Sequence, residues 1–222
     1  MGLLMPLPLL THTQHDYEHA VTELTLLASD RHGLFSRVAG AMSLAGANIL
    51  GAKIFTLKNG IAVEIFQITD MAAGVFDQPE KLARLSVNIR QALDGDLDLA
   101  EALAGRQRQY RRNRSDVHRV AGQVLIDNEA SNVHTVIEVS GRDRSGFLYQ
   151  VTRAIADLGL SIATAHISTY GVQASDVFYV KDLFGMKITH GGKLKLIRET
   201  LLEVVGGESL LNIPARVSQT EP

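Results

Sequence analysis

The stretch DRHGLF at residues 30–35 returns as DRSGFL at residues 143–148. The two copies are offset by 113 positions, and further identities keep this offset downstream. In the first copy the identical residues are Asp30, Arg31, Gly33, Val38, Ala41, Gly46, Ile49, Ala52, Ile54 and Thr56. A spacing of 113 residues is too large for the repeats of a solenoid, so the sequence predicts two duplicated domains.

Both copies have the same predicted order of elements. In the first copy we expect a strand over 23–29, a helix from Leu34 that ends at Gly46, strands over 48–57 and 61–69, and a helix over 78–93. Asn59-Gly60 between the two strands indicates a hairpin, because a type I′ turn needs positive φ twice. The second copy predicts strand 134–140, helix 147–158, strands 161–169 and 174–181, and helix 191–204.

A closing strand for the first copy is expected at 122–126, and a weak candidate for the second lies near Leu210–Ile213. The predicted fold class is therefore α+β, with two ferredoxin-like βαββαβ domains in tandem. We expect a tail over 1–20, a first domain over 21–127 that includes a basic helix or linker near 97–116, a second domain over 132–213, and a C-terminal tail over 214–222.

The repeated loop joins a strand to a helix, whose first amides lack internal partners and carry partial positive charge. A carboxylate can bind there, and Gly33 and Gly146 let a ligand approach the backbone closely. Asp30 and Asp143 can accept an ammonium group, so each loop suits a free amino acid. A structural alternative stays open, because Asp and Ser are common N-caps and glycine permits a tight turn.

The pattern D-R-x-G-[LF]-[LF], helix, G-[AL]-[NS]-I, strand, hairpin, helix resembles the ACT domain, a small-molecule regulatory module. TELTLLASDRHGLFSRVAGAMSLAGANILGAKI and VLIDNEASNVHTVIEVSGRDRSGFLYQVTRAIADLGLSIATAHISTYG are similar to the C-terminal tandem ACT region of the bifunctional PII uridylyltransferase/uridylyl-removing enzymes. The resemblance covers roughly residues 20–205.

This resemblance implies a cytoplasmic regulatory module that senses glutamine and sets the balance between adding UMP to the PII protein and removing it. The implied partners are the amino acid, the catalytic domains or PII, and a second copy of the chain. The ligand contacts implied in the first copy are Asp30, Arg31, His32, Gly33, Leu34 and Asn48. Those implied in the second copy are Asp143, Arg144, Ser145, Gly146, Phe147 and Ser161, where Ser161 lacks the amide of Asn48.

Catalytic and metal chemistry find little support in the sequence. The acidic cluster DGDLD at 94–98 has no Gly-Ser partner upstream, and HTQHDYEH at 12–19 lies in a short predicted tail, so we expect no metal site. We expect no cofactor in this chain, since Mg²⁺ would belong to catalytic domains elsewhere. Cysteine is absent, which excludes disulfides, and no apolar run reaches the length of a membrane span.

Two other function classes remain open. RQRQYRRNR at 106–114 is basic, and RNA-recognition motifs share the ferredoxin-like sheet, but the strands lack the exposed aromatic pattern that stacks bases. The net charge of −2 also gives no general attraction to nucleic acid or anionic membranes. A stand-alone dimerisation or effector-binding module is the remaining alternative, because an open strand edge can pair with another chain.

Overall fold

A computed structural model of the chain describes residues 9–72, 74–112 and 120–206. Within these ranges, eight antiparallel strands form one continuous sheet, and five helices accompany it. The strands are β1 (Leu10–Asp16), β2 (Val21–Ser29), β3 (Ala47–Thr56), β4 (Ile61–Asp70), β5 (Gln123–Asp127), β6 (Thr135–Arg142), β7 (Leu160–Tyr170) and β8 (Gln173–Asp182). The helices are α1 (Leu34–Ala45), α2 (Pro79–Asp94), α3 (Leu99–Arg112), α4 (Phe147–Asp157) and α5 (Gly191–Val205).

The sheet is ordered β1-β2-β4-β3-β7-β8-β6-β5. The strands of the second repeat thus follow the same order as those of the first, read in reverse from the β3–β7 junction. Alternate residues of β2 and β4 are buried, as expected for strands with one face on a core. Leu24, Leu26, Phe66 and Ile68 are almost fully buried in this way, and Phe35 of α1 stacks on Phe66 at 5.4 Å between ring centroids. The predicted α+β fold with two ferredoxin-like units in tandem is confirmed.

The strand that we expected to close the first repeat belongs to the second. Residues 123–127 form β5, which pairs antiparallel with β6. The assignment to the first repeat is wrong because β2, the strand it would flank, already lies between β1 and β4. Each repeat therefore runs ββαββα. Its first strand, β1 or β5, takes the outer edge of the sheet, where we had expected a strand that follows the second helix. The weak candidate near 210–213 lies outside the described residues.

Part of the expected N-terminal tail is ordered structure. Residues 10–16 form β1, whose whole length pairs antiparallel with β2 from Leu10 opposite Leu27 to Asp16 opposite Val21. Its sequence LTHTQHD did not predict a strand, because an edge strand with mostly exposed side chains lacks an apolar signal. The basic linker near 97–116 contains α3 as expected, while residues 113–119 and the predicted C-terminal tail lie outside the described ranges.

The two repeats are joined through their sheets as well as their helices. Gly51, Ala52 and Lys53 of β3 pair with His166, Ala165 and Thr164 of β7. A Cβ at Gly51 would lie 3.3 Å from the carbonyl oxygen of Ala165, so glycine allows the two strands their close approach at an irregularity in β3.

Candidate functional site

The two DRxG loops have the same local structure. Gly33 and Gly146 are the N-cap residues of α1 and α4, and their φ angles of 71° and 81° lie in the left-handed region that glycine favours. Because glycine has no side chain, neither helix start is capped by its N-cap residue. The carboxylate of Asp30 instead accepts a hydrogen bond from Thr56 Oγ1 at 3.0 Å, which fastens the loop to β3.

Each loop contains an arginine that binds the loop to the second helix of its own repeat. Arg31 Nη1 donates to the carbonyl of Leu93 in α2 at 2.7 Å, and Arg144 Nη2 donates to that of Val204 in α5 at 2.7 Å. A cation at a helix C-terminus is favourable to the helix dipole. The structure therefore shows an anchoring role for Arg31 and Arg144, whatever else they contact.

Hydrophobic and polar members of the predicted site divide between the core and the surface. Leu34 and Phe147 are each 3% exposed and belong to the core, so only their backbone can meet a ligand. The His32 side chain is 62% exposed. Its counterpart Ser145 keeps a buried Oγ that has no hydrogen-bond partner among the described residues.

Asn48 and Ser161 lie far from the loops of their own repeats. Asn48 follows α1, whose twelve residues place it about 18 Å from the start of that helix, so its amide does not share a site with loop 30–33. Its Nδ2 donates to Thr69 Oγ1 at 3.5 Å. Ser161 is the second residue of β7. It lies four residues after Asp157, which contacts His32, and so it lies on the side of the first loop. The loop and the strand residue of one repeat therefore lie at opposite ends of that repeat, and the ligand contacts implied by the resemblance stay a prediction.

A cavity of about 250 Å³ opens beside the first loop, between the two repeats. Its first wall is the start of α1, with His32, Gly33, Ser36 and Arg37. Its second wall is one face of α4, from Tyr149 near its start to Asp157 at its end. The end of α2, the α2–α3 connection and the start of α3 complete the cavity. The lining residues from these parts are Tyr149, Arg153, Ala156, Asp157, Ala92, Leu97, Asp98 and Leu99.

Opposite charges meet in this cavity. His32 Nε2 lies 3.3 Å from Asp157 Oδ1, and Arg153 Nε lies 3.7 Å from Asp157 Oδ2. Arg153 Nη1 also donates to the hydroxyl of Tyr149 at 3.0 Å. A helix N-terminus with an arginine beside two carboxylates, Asp98 and Asp157, can receive both ends of a zwitterion. A second cavity of about 200 Å³ between β1 and α2 has no charged lining residue, so it lacks this capacity.

Sequence analysis did not predict the cavity residues that come from the second repeat and from the α2–α3 connection. Arg153 and Asp157 read as the polar face of an amphipathic helix, and Asp98 as part of a loop. One signal pointed to them: Gly40, in the middle of α1, corresponds to Arg153 in the repeat alignment. A glycine inside a helix indicates a close neighbour, which here is the second repeat.

Helix α3 lies over the second loop. A Cβ at Gly146 would be 3.2 Å from Cβ and 3.3 Å from Cδ1 of Leu103. Leu99 and Leu103 of α3 are 5% and 3% exposed. Arg106 of the same helix donates to the carbonyl of Ser43, near the end of α1, at 2.6 Å.

Gly40→Ala is expected to loosen this packing. The added Cβ would lie 3.0 Å from Tyr149 Cδ2 and 3.1 Å from Leu99 Cδ1, so these two side chains must move by a few tenths of an ångström. We expect a loss of about 1–3 kcal/mol in the free energy of unfolding, measured with urea. Gly105→Ala in α3 is the matched control: its nearest neighbour is 3.9 Å away, so helix propensity should stabilise it by up to ~1 kcal/mol. Equal stabilisation by both substitutions would contradict the proposed tight contact.

A buried carboxyl group lies at the same place in each repeat. Glu64 of β4 and Asp176 of β8 are both 1% exposed, and Oε2 of Glu64 has no hydrogen-bond partner among the described residues. Burial, followed by repulsion from Asp30, raises the pKa of Glu64 to about 8. Burial also raises the pKa of Asp176 to about 7, against a hydrogen bond from the amide of Ser168 and with further repulsion from Asp143.

The histidine-rich segment at 12–19 lies in β1 and in the turn that leads from β1 to β2. His15 Nδ1 lies 3.0 Å from Thr22 Oγ1, and His19 Nδ1 lies 2.7 Å from Asp16 Oδ2. Within residues 9–72, 74–112 and 120–206, no group of three or more His, Asp or Glu side chains is arranged to hold a metal ion. In the same ranges, no helix is long and apolar enough to cross a membrane.

Comparisons with known proteins match both the fold and the sequence resemblance. A family profile described as "ACR family N-terminal ACT domain" matches residues 130–207. The chain is 51% identical over 91% of its length to a "Bifunctional uridylyltransferase/uridylyl-removing enzyme" of Azospirillum brasilense, of which it covers 22%. It is 49% identical over 84% of its length to the enzyme of the same name from Rhodospirillum rubrum, of which it covers 20%.

A third such enzyme, from Gluconobacter oxydans, is 47% identical over 83% of the chain, which covers 20% of that protein. The chain thus spans about a fifth of the length of these relatives. The matched part carries the repeated DRxG loops and both halves of the sheet. The chain is therefore a tandem ACT-domain region of the kind found in bifunctional uridylyltransferase/uridylyl-removing enzymes.

Proposed function

We propose that this region binds a free amino acid, glutamine, in the cavity beside Gly33, and that binding regulates a uridylyltransferase/uridylyl-removing enzyme acting on PII in nitrogen regulation. The observation that carries the proposal is the cavity itself, which joins a helix N-terminus and Arg153 to the carboxylates of Asp98 and Asp157. Glutamine and PII rest on the family resemblance, and the amino-acid class rests on the charges.

The charges suggest how the ligand is oriented. Its carboxylate lies against the first amides of α1, where Gly33 leaves the backbone accessible, and close to Arg153. Its ammonium group lies toward Asp157 or Asp98. Because both repeats supply the walls, a bound ligand holds α1 and α4 together. Such a contact between two domains is a means of passing the ligand signal to attached catalytic domains.

Arg153→Ala is expected to weaken glutamine binding by about one to two decades, because a charge-assisted hydrogen bond is worth roughly 1.5–3 kcal/mol. Arg198→Ala is the matched control, since Arg198 is an exposed arginine on α5 that does not line the cavity. Isothermal titration calorimetry of the parent and the two variants measures the effect. An unchanged affinity in Arg153→Ala would contradict the cavity assignment, and failure of the parent to bind glutamine would contradict the ligand.

A further inference from the structure

The sheet ends in two edge strands, β1 in the first repeat and β5 in the second. Within the described residues β1 pairs with β2 alone, so the backbone groups on its outer side have no strand partner there. Such an edge is a template for another extended segment, and natural proteins protect edges by short strands, by lysine or proline, or by a covering element. β1 has seven residues and neither lysine nor proline, whereas β5 has five residues.

A groove runs alongside β1, between this strand and α2. It contains the cavity of about 200 Å³, which shares no lining residue with the cavity beside Gly33. Leucine and isoleucine side chains line it together with the hydroxyl-bearing residues Thr11, Thr13 and Ser86, and none of the lining residues is charged. Since an apolar cavity of about 150 Å³ holds a benzene molecule, the groove has room for an aliphatic side chain.

The second repeat shows what stands at the equivalent positions there. Thr11 corresponds to Val124 of β5, and Thr13 corresponds to Ile126, because each pair faces the same position of the neighbouring strand. The helices α2 and α5 correspond at an offset of 112, at which their buried, half-buried and exposed positions coincide over residues 81–93 of α2. On the sheet side, larger apolar residues thus replace the two threonines.

Three positions on the outer side of the helix differ in the same sense. Where α2 has Ala83, Ser86 and Val87, α5 has Lys195, Arg198 and Glu199. Lys195 and Glu199 form an ion pair at 3.7 Å, while Val87 is an apolar side chain that is 53% exposed. The second repeat therefore has charged side chains beside its edge strand. The first repeat leaves a neutral groove beside a longer edge strand.

We propose that the groove between β1 and α2 binds an extended peptide segment of another protein, which pairs with β1 and places an aliphatic side chain in the cavity. The unpaired edge favours a strand, because only an extended chain offers amide and carbonyl groups at the spacing of β1. An added strand lies about 4.8 Å from β1, and its alternate side chains point to the side of α2. The neutral lining disfavours a charged side chain at that position.

A second copy of the chain fits this groove poorly. The residues of β1 that face the groove are Thr11 and Thr13. If two β1 strands paired with each other, each would offer these threonines to its partner's groove and no aliphatic side chain. In β5 the corresponding residue Val124 is buried in its own repeat. The observations therefore favour a segment from a different protein.

The occupant is tested first with a random library of short peptides displayed on phage, with the full chain as the target. An enriched peptide is synthesised with a fluorescent label, and its affinity is measured by fluorescence anisotropy. We expect enriched peptides to alternate aliphatic and polar residues. Proline at the centre of such a peptide should weaken binding at least about tenfold, because it removes a hydrogen bond to β1. Absence of any enriched peptide, or undiminished binding of the proline form, would overturn the proposal.

The groove is tested with residues that the second repeat already has. Ala83→Lys and Ser86→Arg give α2 the residues of α5, and Thr13→Ile gives β1 the residue of β5. Each should weaken binding of the enriched peptide at least about tenfold. Gln91→Lys is the matched control, because it adds a lysine at an exposed position of α2 outside the groove, and it should bind like the parent. Equal affinities of Ala83→Lys and Gln91→Lys would contradict the groove as the binding site.

Two other results would assign the groove to a different occupant and overturn the outside partner. The first is a parent that sediments as a dimer while Ala83→Lys sediments as a monomer, which would identify a second copy of the chain. The second is a parent that binds no peptide while a chain without residues 1–8 does, which would identify the chain's own N-terminal segment. We expect neither result.

Discussion

Gly33→Val abolishes glutamine binding while leaving the fold intact: this is the result we expect. The backbone of Gly33 has a φ of 71°, where a β-branched side chain costs roughly 1–2 kcal/mol. The new Cβ would also lie 3.3 Å from Ser36 Oγ, and its methyl groups would fill the mouth of the cavity that Gly33 lines. A ligand carboxylate could then no longer reach the amides of α1.

Gly146→Val supplies the matched control for backbone strain. Its φ of 81° makes the same demand on the backbone, and the added Cβ would press on Leu103 at 3.2 Å. We therefore expect this variant to lose more stability than Gly33→Val in urea, yet to bind glutamine like the parent in calorimetry. Retained binding in Gly33→Val would show that the ligand site lies elsewhere and that the loop only starts a helix.

The stability of the parent is expected to fall as the pH rises from about 4.5 to 8, because of Glu64 and Asp176. Burial raises the pKa of Glu64 from 4.5 to about 8 and that of Asp176 from 3.8 to about 7. Between the unfolded and folded values the native chain holds a proton that the unfolded chain has released. Each group then lowers the free energy of unfolding by up to about 1.4 kcal/mol per pH unit.

Glu64→Gln should flatten this dependence and make the variant more stable than the parent above pH 8. Below pH 4.5 the carboxyl of Glu64 is protonated in both the folded and the unfolded parent and costs no stability. The difference in the free energy of unfolding between the parent and Glu64→Gln should therefore disappear there. Asp176→Asn should act in the same way over a window that ends near pH 7. Urea unfolding at several pH values measures both effects. A parent and Glu64→Gln variant with parallel pH profiles would show that Glu64 is ionised in the folded chain.

Elements defined by local pattern were predicted well. The apolar face of α1, its terminal glycine and the Asn-Gly turn between β3 and β4 all depend on residues close together in the sequence. The places of the edge strands in the sheet were not predicted, because the sequence of a strand such as β5 does not indicate which strand it pairs with. Whether it joins β2 or β6 is decided by which edge is already occupied, and that is a property of the whole sheet.

Sequence analysis found the loop of the candidate site but not the residues that face it, because those come from the other repeat. The loop at Asp30–Gly33 could be found because it is repeated, and its chemistry follows from a helix N-terminus beside glycine. Arg153 and Asp157 could not be found in the same way, since their role depends on how the repeats pack. The covering of Gly146 by α3 was hidden as well, because a basic segment with Leu99 and Leu103 four residues apart read as a solvated linker.

The placement of β5 also decides where the chain can be divided. A fragment that begins at residue 132, at the boundary drawn from the sequence, would leave one side of β6 with unpaired backbone groups, and an open edge of this kind promotes aggregation. A fragment that begins near residue 121 would keep β5 and a complete four-stranded half-sheet. The unit of duplication is thus a strand pair followed by a helix, a hairpin and a second helix, and any recombination or domain transplant that respects it must cut between α3 and β5.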